Sequence, residues 1–162
     1  MTYRSVCRPG RAKASWARVR EDDVPRSDPP SSHNAGGPSP GILRFIHEVV
    51  DGTPQINIPP KPAGFRSRLN DHYPGRGNAD VHYEGRAVDV HLNYNSPVER
   101  AYGDWLFAYC IANCQTFQIQ GVIWGPRRWF SEAHNGQVSP EQGPDHYDHV
   151  HLELNCDGAN TP

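Results

Sequence analysis

The chain has 162 residues, enough for one domain with one core and not enough for two. Its formal net charge of −2 argues against a general nucleic-acid binder or a strongly charged membrane-surface protein, and no apolar run approaches the roughly 20 residues of a membrane helix. With 15 glycines, 16 prolines and only 36% hydrophobic residues it reads as a small, loop-rich domain carrying a poorly structured extension, and its 9 histidines can be sorted only by their spacing.

In chain order, residues 1–20 carry Arg4, Arg8, Arg11, Lys13, Arg18 and Arg20 with no acid and no apolar core, which is not an export signal. Glu21-Asp22-Asp23 follows and reads as part of a solvated tail. Pro25 to Gly41 holds 5 Pro, 3 Gly and 4 Ser in 17 residues, too little apolar surface to offset ordering entropy, so it reads as a linker or a wrapped arm. The expected organisation is an extension over 1–38, a catalytic-type domain over 39–157 and a tail over 158–162. Ser39-Pro40 opens a helix with Ser as N-cap, Ile42, Phe45, Ile46, Val49 and Val50 keep its period, and Asp51-Gly52 stops it. Ile56 to Ile58 reads as a short strand and Pro59 to Arg76 as loop.

Ala87 to Leu92 alternates, with Val88, Val90 and Leu92 on one face and Ala87, Asp89 and His91 on the other. Ser96-Pro97-Val98-Glu99 has the form of a capping box ahead of a helix from about Pro97 to about Cys114. Phe117 to Trp124 reads as a strand, Gly125 to Asp145 as a long aromatic-bearing loop, and Tyr147 to Leu154 as the last strand. In that strand Val150, Leu152 and Leu154 share one face, and His149, His151 and Glu153 the other. The fold class that follows is α+β: a small central antiparallel sheet flanked by two main helices.

Two strands thus share one design, an apolar face for a core and a polar face of ligand-type side chains. If they are neighbours, Asp89 and His151 converge, and His82, seven residues before Asp89, lies at the mouth of the same strand. Two imidazoles and one carboxylate suffice as the protein ligands of catalytic zinc, with a fourth position left for water that is partly hydroxide near neutral pH. The same ligand types serve non-haem iron oxygenases, but those commonly show His-x-Asp, whereas Asp80-Val81-His82 and Asp89-Val90-His91 run in reverse and the strands are too few.

His82-Tyr83-Glu84-Gly85-Arg86-Ala87-Val88-Asp89 resembles the His-x-x-Gly-x-Ala-x-Asp motif of the D-alanyl-D-alanine metallopeptidases, within the wider group of lysostaphin-type peptidases and the hedgehog signalling domain. Asp148-His149-Val150-His151 is similar to that group's second motif, both as His-x-His and as an acid three residues before the last ligand. Gly64-Phe65-Arg66-Ser67 resembles a Gly-Tyr-Arg-Ser segment whose Arg faces the active site. Val122-Ile123-Trp124-Gly125 with Arg127-Arg128-Trp129-Phe130 resembles a segment of actinobacterial secreted cell-wall proteins. The likeness spans roughly residues 42–155, and Asp80 stands where the family usually has Ser. It implies a sheet carrying zinc (Zn2+) on His82, Asp89 and His151. Asp148 would be general base and then acid, Arg66 the oxyanion stabiliser and His149 a partner close to the metal.

The function implied is a zinc metallopeptidase, carboxypeptidase or endopeptidase, hydrolysing an amide bond in a short peptide, with a peptidoglycan stem peptide or cross-link as the expected substrate. The alternatives are a non-catalytic zinc-binding module of the same fold and an intracellular peptidase acting on a small peptide product. Further expectations are no nucleic-acid partner, no membrane span, a monomer, and the extracellular or cell-wall location that the resemblance favours. Among the remaining residues, Arg68 and Arg76 rival Arg66, and His91 reads as an outer-shell or surface residue. His146 is open between those roles. His33, His47, His72 and His134 read as solvated, Glu84 and Glu153 as exposed, and Trp124, Trp129 and Tyr147 as core more than groove. Cys7, Cys110, Cys114 and Cys156 permit disulfides without selecting a pairing.

Overall fold

The computed structural model describes residues 24–31, 34–52, 56, 58–65, 69–70, 80–131 and 136–162. The basic start of the chain, Cys7, His33, Arg66, Arg68, His72, Arg76 and His134 lie outside the described residues.

Ser39 caps the first helix as its sequence requires: its Oγ accepts from the Ile42 amide, and Pro40 fills the first turn. Helix α1 (Pro40–Phe45) widens directly into a π-helix over Ile46–Gly52, which keeps Val49 and Val50 buried, and the glycine ends it with φ +86°. Ile56 sits in a bend and Ile58 in irregular chain, so the expected strand at 56 and 58 does not form; both side chains pack against the core instead.

Strand β1 (Leu69–Asn70) lies within the expected loop and pairs with β2 (Ala87–His91). Helix α2 (Pro97–Ala112) and the short α3 (Cys114–Phe117) take the place of the single predicted helix. The capping box ahead of α2 does not form. Ser96 makes no side-chain cap, and Glu99 Oε2 accepts from the Asn93 amide at 2.8 Å, so the acid closes the loop before the helix. Strand β3 (Ile119–Trp124) follows, and the loop expected after it contains a hairpin: Gly125-Pro126 turns the chain into β4 (Arg127–Phe130). Then come β5 (Ser139–Pro140), β6 (His149–Leu154) and the terminal helix α4 (Cys156–Ala159).

Among the described residues the protein is therefore α+β, with four α-helices beside a six-stranded antiparallel sheet of order β1-β2-β6-β3-β4-β5. No helix among them is long and apolar enough to cross a membrane. The two long patterned strands are neighbours. Val88 faces Leu152 and Val90 faces Val150 across β2 and β6, and Val122 and Trp124 of β3 continue the row. This face packs on Ile42, Phe45 and Val49 from the first helix and on Tyr102, Leu106 and Phe107 of α2, all buried. Trp124 and Trp129 are core residues; each indole N–H finds an oxygen, Asp104 Oδ1 and the Gly136 carbonyl respectively.

The arm over residues 24–31 and 34–39 has almost no apolar content yet is pinned by hydrogen bonds. Ala35 and Ser39 amides donate to the Tyr83 and Gly85 carbonyls at 2.9 and 2.8 Å. Gly85 needs to be glycine here: its φ is +69°, and a Cβ would lie 2.2 Å from the Gly37 carbonyl oxygen. Cys110 and Cys114 are free thiols and Cys156 is disulfide-bonded.

Candidate metal centre

The polar face of the sheet carries the site. Antiparallel register sets Asp89 directly opposite His151 and His91 opposite His149. His82 reaches the same point from the turn over residues 81–85, which Asp80 closes by accepting the His82 amide at 2.9 Å. One carboxylate oxygen, Asp89 Oδ1, lies 3.1 Å from His151 Nδ1 and 3.3 Å from His82 Nε2, and the two nitrogens are 3.1 Å apart. All three residues are buried, and their ligand atoms lie within 4.8 Å of one another.

Two imidazole nitrogens and one carboxylate oxygen converging in a buried place are the donor set of a chelate. The group could therefore hold a metal ion, and its donor types fit zinc. Burial raises the Asp89 carboxyl, but hydrogen bonds from His151 and His82 outweigh it and hold Asp89 far below the usual carboxylate range. Burial likewise works against charge on His151, yet Asp89 and Glu153 on its two sides raise it to about 10. His151 thus lies between two carboxylates, Asp89 at Nδ1 and Glu153 at Nε2.

The other expected residues fall into three groups. His149 adjoins the cluster, with Nε2 3.7 Å from Asp89 Oδ1, and its Nδ1 bonds Asp148 Oδ1 at 2.7 Å. Asp148 itself is largely exposed and just precedes β6, so its carboxylate meets the centre through His149. Arg66 lies outside the described residues. His91 stands 5.7 Å from His149, ring to ring, and with Leu92, Asn93, Glu99 and Asp148 lines a recess of about 320 Å³. His146 completes a row of rings, 4.9 Å from His149 and 6.0 Å from His151; burial and these two neighbours lower its basicity. His47 is exposed, as expected.

Glu84 and Glu153 correct their sequence reading, because both are buried. Glu84 binds Arg86, whose Nε donates to its Oε2 at 2.7 Å, and it receives Ser31 from the arm through both the Ser31 amide and hydroxyl. Glu153 Oε2 lies 3.4 Å from His151 Nε2. A buried acid is stable only with partners; Arg86 and His151 each lie two residues from the acid they meet, whereas Ser31 and Gln120 come from distant chain. Position on the polar face beside His151 was the signal that could have marked Glu153.

The family model described as VldE, C-terminal domain, matches residues 62–151, which is more than half of the chain and takes in His82, Asp89 and His151. No curated protein and no solved structure matches the chain.

Proposed function

The chain belongs to the VldE C-terminal domain family, and from its site we propose that it is a zinc-dependent metallopeptidase acting on an amide bond of a short peptide. The observation that carries this reading is the buried convergence of His82 Nε2, Asp89 Oδ1 and His151 Nδ1. A peptidoglycan stem peptide or cross-link is the substrate class supported by the likeness of both motifs to those of D-alanyl-D-alanine metallopeptidases.

His82, Asp89 and His151 would hold the zinc, which when bound supplies Lewis acidity for a carbonyl and acidifies water. Around it the chain's own groups divide the work. Asp148, open to solvent and bonded to His149, takes a proton from the attacking water and returns it to the leaving nitrogen. His149 orients that carboxylate and stands between it and the buried ligands. Arg66, placed by its sequence motif, holds the developing oxyanion. The recess bounded by His91, Asn93, Glu99 and Asp148 offers an open approach for a peptide.

The test is digestion of defined muropeptides by the full chain, with mass spectrometry of the products and a chelator control. Chelator-sensitive cleavage of one amide bond is the expected result. Bound zinc with every peptide intact would instead identify a non-catalytic module, and chelator-resistant cleavage would remove the metal from the reaction.

A further inference from the structure

His151 presents one nitrogen to the cluster and turns the other away, and the far side of its ring is as strongly organised as the near side. Nε2 faces Glu153 Oε2 at 3.4 Å. Glu153 Oε1 in turn accepts from Gln120 Nε2 at 3.0 Å. Gln120 is clamped at both ends of its amide by the main chain of one arm residue: the Asp28 amide donates to Oε1 at 2.8 Å, and Nε2 donates to the Asp28 carbonyl at 3.1 Å. Asp28 is itself fixed, because its side chain accepts from the Cys156 amide and its carbonyl lies 3.3 Å from Arg86 Nη2.

Two features of β3 make room for this chain of contacts. The register of β3 against β6 slips between Ile119 and Gly121, so Gln120 is an extra residue in the strand, a bulge that aims its side chain off the regular ladder. Gly121 then lies opposite Glu153, and a Cβ there would stand 2.8 Å from Glu153 Oε1. Glu153 and Gln120 are both buried, so these contacts are made away from competing water.

We propose that Glu153 is a positioning residue for His151, and that Gln120, clamped by the N-terminal arm, holds Glu153 in place. The inference rests on the metal-centre reading above. An ionised carboxylate only accepts hydrogen bonds, so Glu153 keeps the hydrogen on Nε2 and leaves Nδ1 for the metal. The arm is thereby part of the centre, although it supplies no ligand.

The experiment measures Zn2+ affinity of the full chain by competition with a chelating dye, in wild type, His151→Ala, Glu153→Leu, Glu153→Gln and Gln120→Ala. Circular dichroism checks that each is folded. The expected result is a loss on the order of 10–100-fold in Glu153→Leu. Glu153→Gln, which retains an acceptor, should lie between it and wild type, and Gln120→Ala should show a smaller loss. Long-range histidine 1H–15N spectra of the zinc-loaded protein should show His151 protonated at Nε2 in wild type and a disturbed signature in Glu153→Leu, which a merely structural residue would not produce. Should Glu153→Leu not fold, Glu153→Gln and Gln120→Ala decide, and wild-type affinity in both overturns the proposal. Wild-type affinity in a folded Glu153→Leu also overturns it, while leaving the metal centre standing if His151→Ala has lost its zinc. If wild type takes up no zinc, or His151→Ala keeps it, both ideas fall together.

Discussion

Arg86 offers the sharpest test of how the ligand-bearing turn is held. It is fully buried, yet it carries a permanent charge and five donors. Nε donates to Glu84 Oε2 at 2.7 Å, Nη1 to the Leu154 carbonyl at 2.6 Å, and Nη2 lies 3.3 Å from the Asp28 carbonyl. One side chain thus ties the turn that carries His82 to the end of β6 and to the arm. Arg86→Met keeps the length and removes every donor, leaving the Glu84 carboxylate buried without its counter-charge. Breaking a buried pair in this way costs about 3–5 kcal/mol. For a chain of this size that corresponds to a fall in Tm of roughly 6–20 °C, at about 2–4 °C per kcal/mol. Thermal and urea melts of the full chain by circular dichroism measure it. Removing both charges, as Glu84→Met with Arg86→Met, should cost less than Arg86→Met alone, since no orphan charge remains. A single variant within 1 kcal/mol of wild type, or a double variant less stable than the single, would refute the reasoning.

Other consequences concern the site and the thiols. Asp148→Asn should leave zinc affinity unchanged and lower turnover on a cleaved peptide by a factor on the order of 10²–10⁴, and unchanged turnover takes the base role from Asp148. The metal-free protein should lose stability progressively as pH rises from about 7 to 9. His151 is raised from 6.5 to about 10 in the fold, so its contribution is complete below the unfolded value and fades toward the folded one. Asp89 and Glu153 are lowered, so their contributions are lost only on the acid side and do not confuse that window. Over the same range zinc affinity should climb about tenfold per pH unit, because uptake must expel the His151 proton; a flat profile contradicts this. Cys110 is wholly buried and its thiol is pushed well up by burial, so iodoacetamide at pH 8 should label it only after denaturation, with peptide mass spectrometry as the readout.

The convergence of Asp89 and His151 was legible because the strands obey a period of two: one apolar face implied a core on that side and so a shared polar side for both residues, and register then set the two opposite one another. The capped first helix was legible for the same local reason, since Ser39 and Pro40 act within a single turn. What escaped was non-local. Glu153 and Glu84 look like surface acids until Gln120, Ser31 and Arg86 surround them, partners that sequence distance conceals in all but one case. The β3–β4 hairpin did carry a signal, the two-residue Gly125-Pro126 turn between Trp124 and an Arg-Arg-Trp-Phe strand, masked by the polar length that follows. Glu99 shows a motif losing to tertiary context, its carboxylate drawn to the Asn93 amide. The arm is held by hydrogen bonds to Tyr83, Gly85, Gln120 and Asn155, contacts that its composition does not encode.

The account stands or falls on whether these three side chains bind a metal together. Metal analysis and titration of the full chain with Zn2+, in wild type, Asp89→Ala and His151→Ala, test that most directly. One zinc per wild-type chain, lost in both variants while the fold persists, is the predicted outcome; a wild type that takes up no zinc, or variants that keep one zinc per chain, would contradict it.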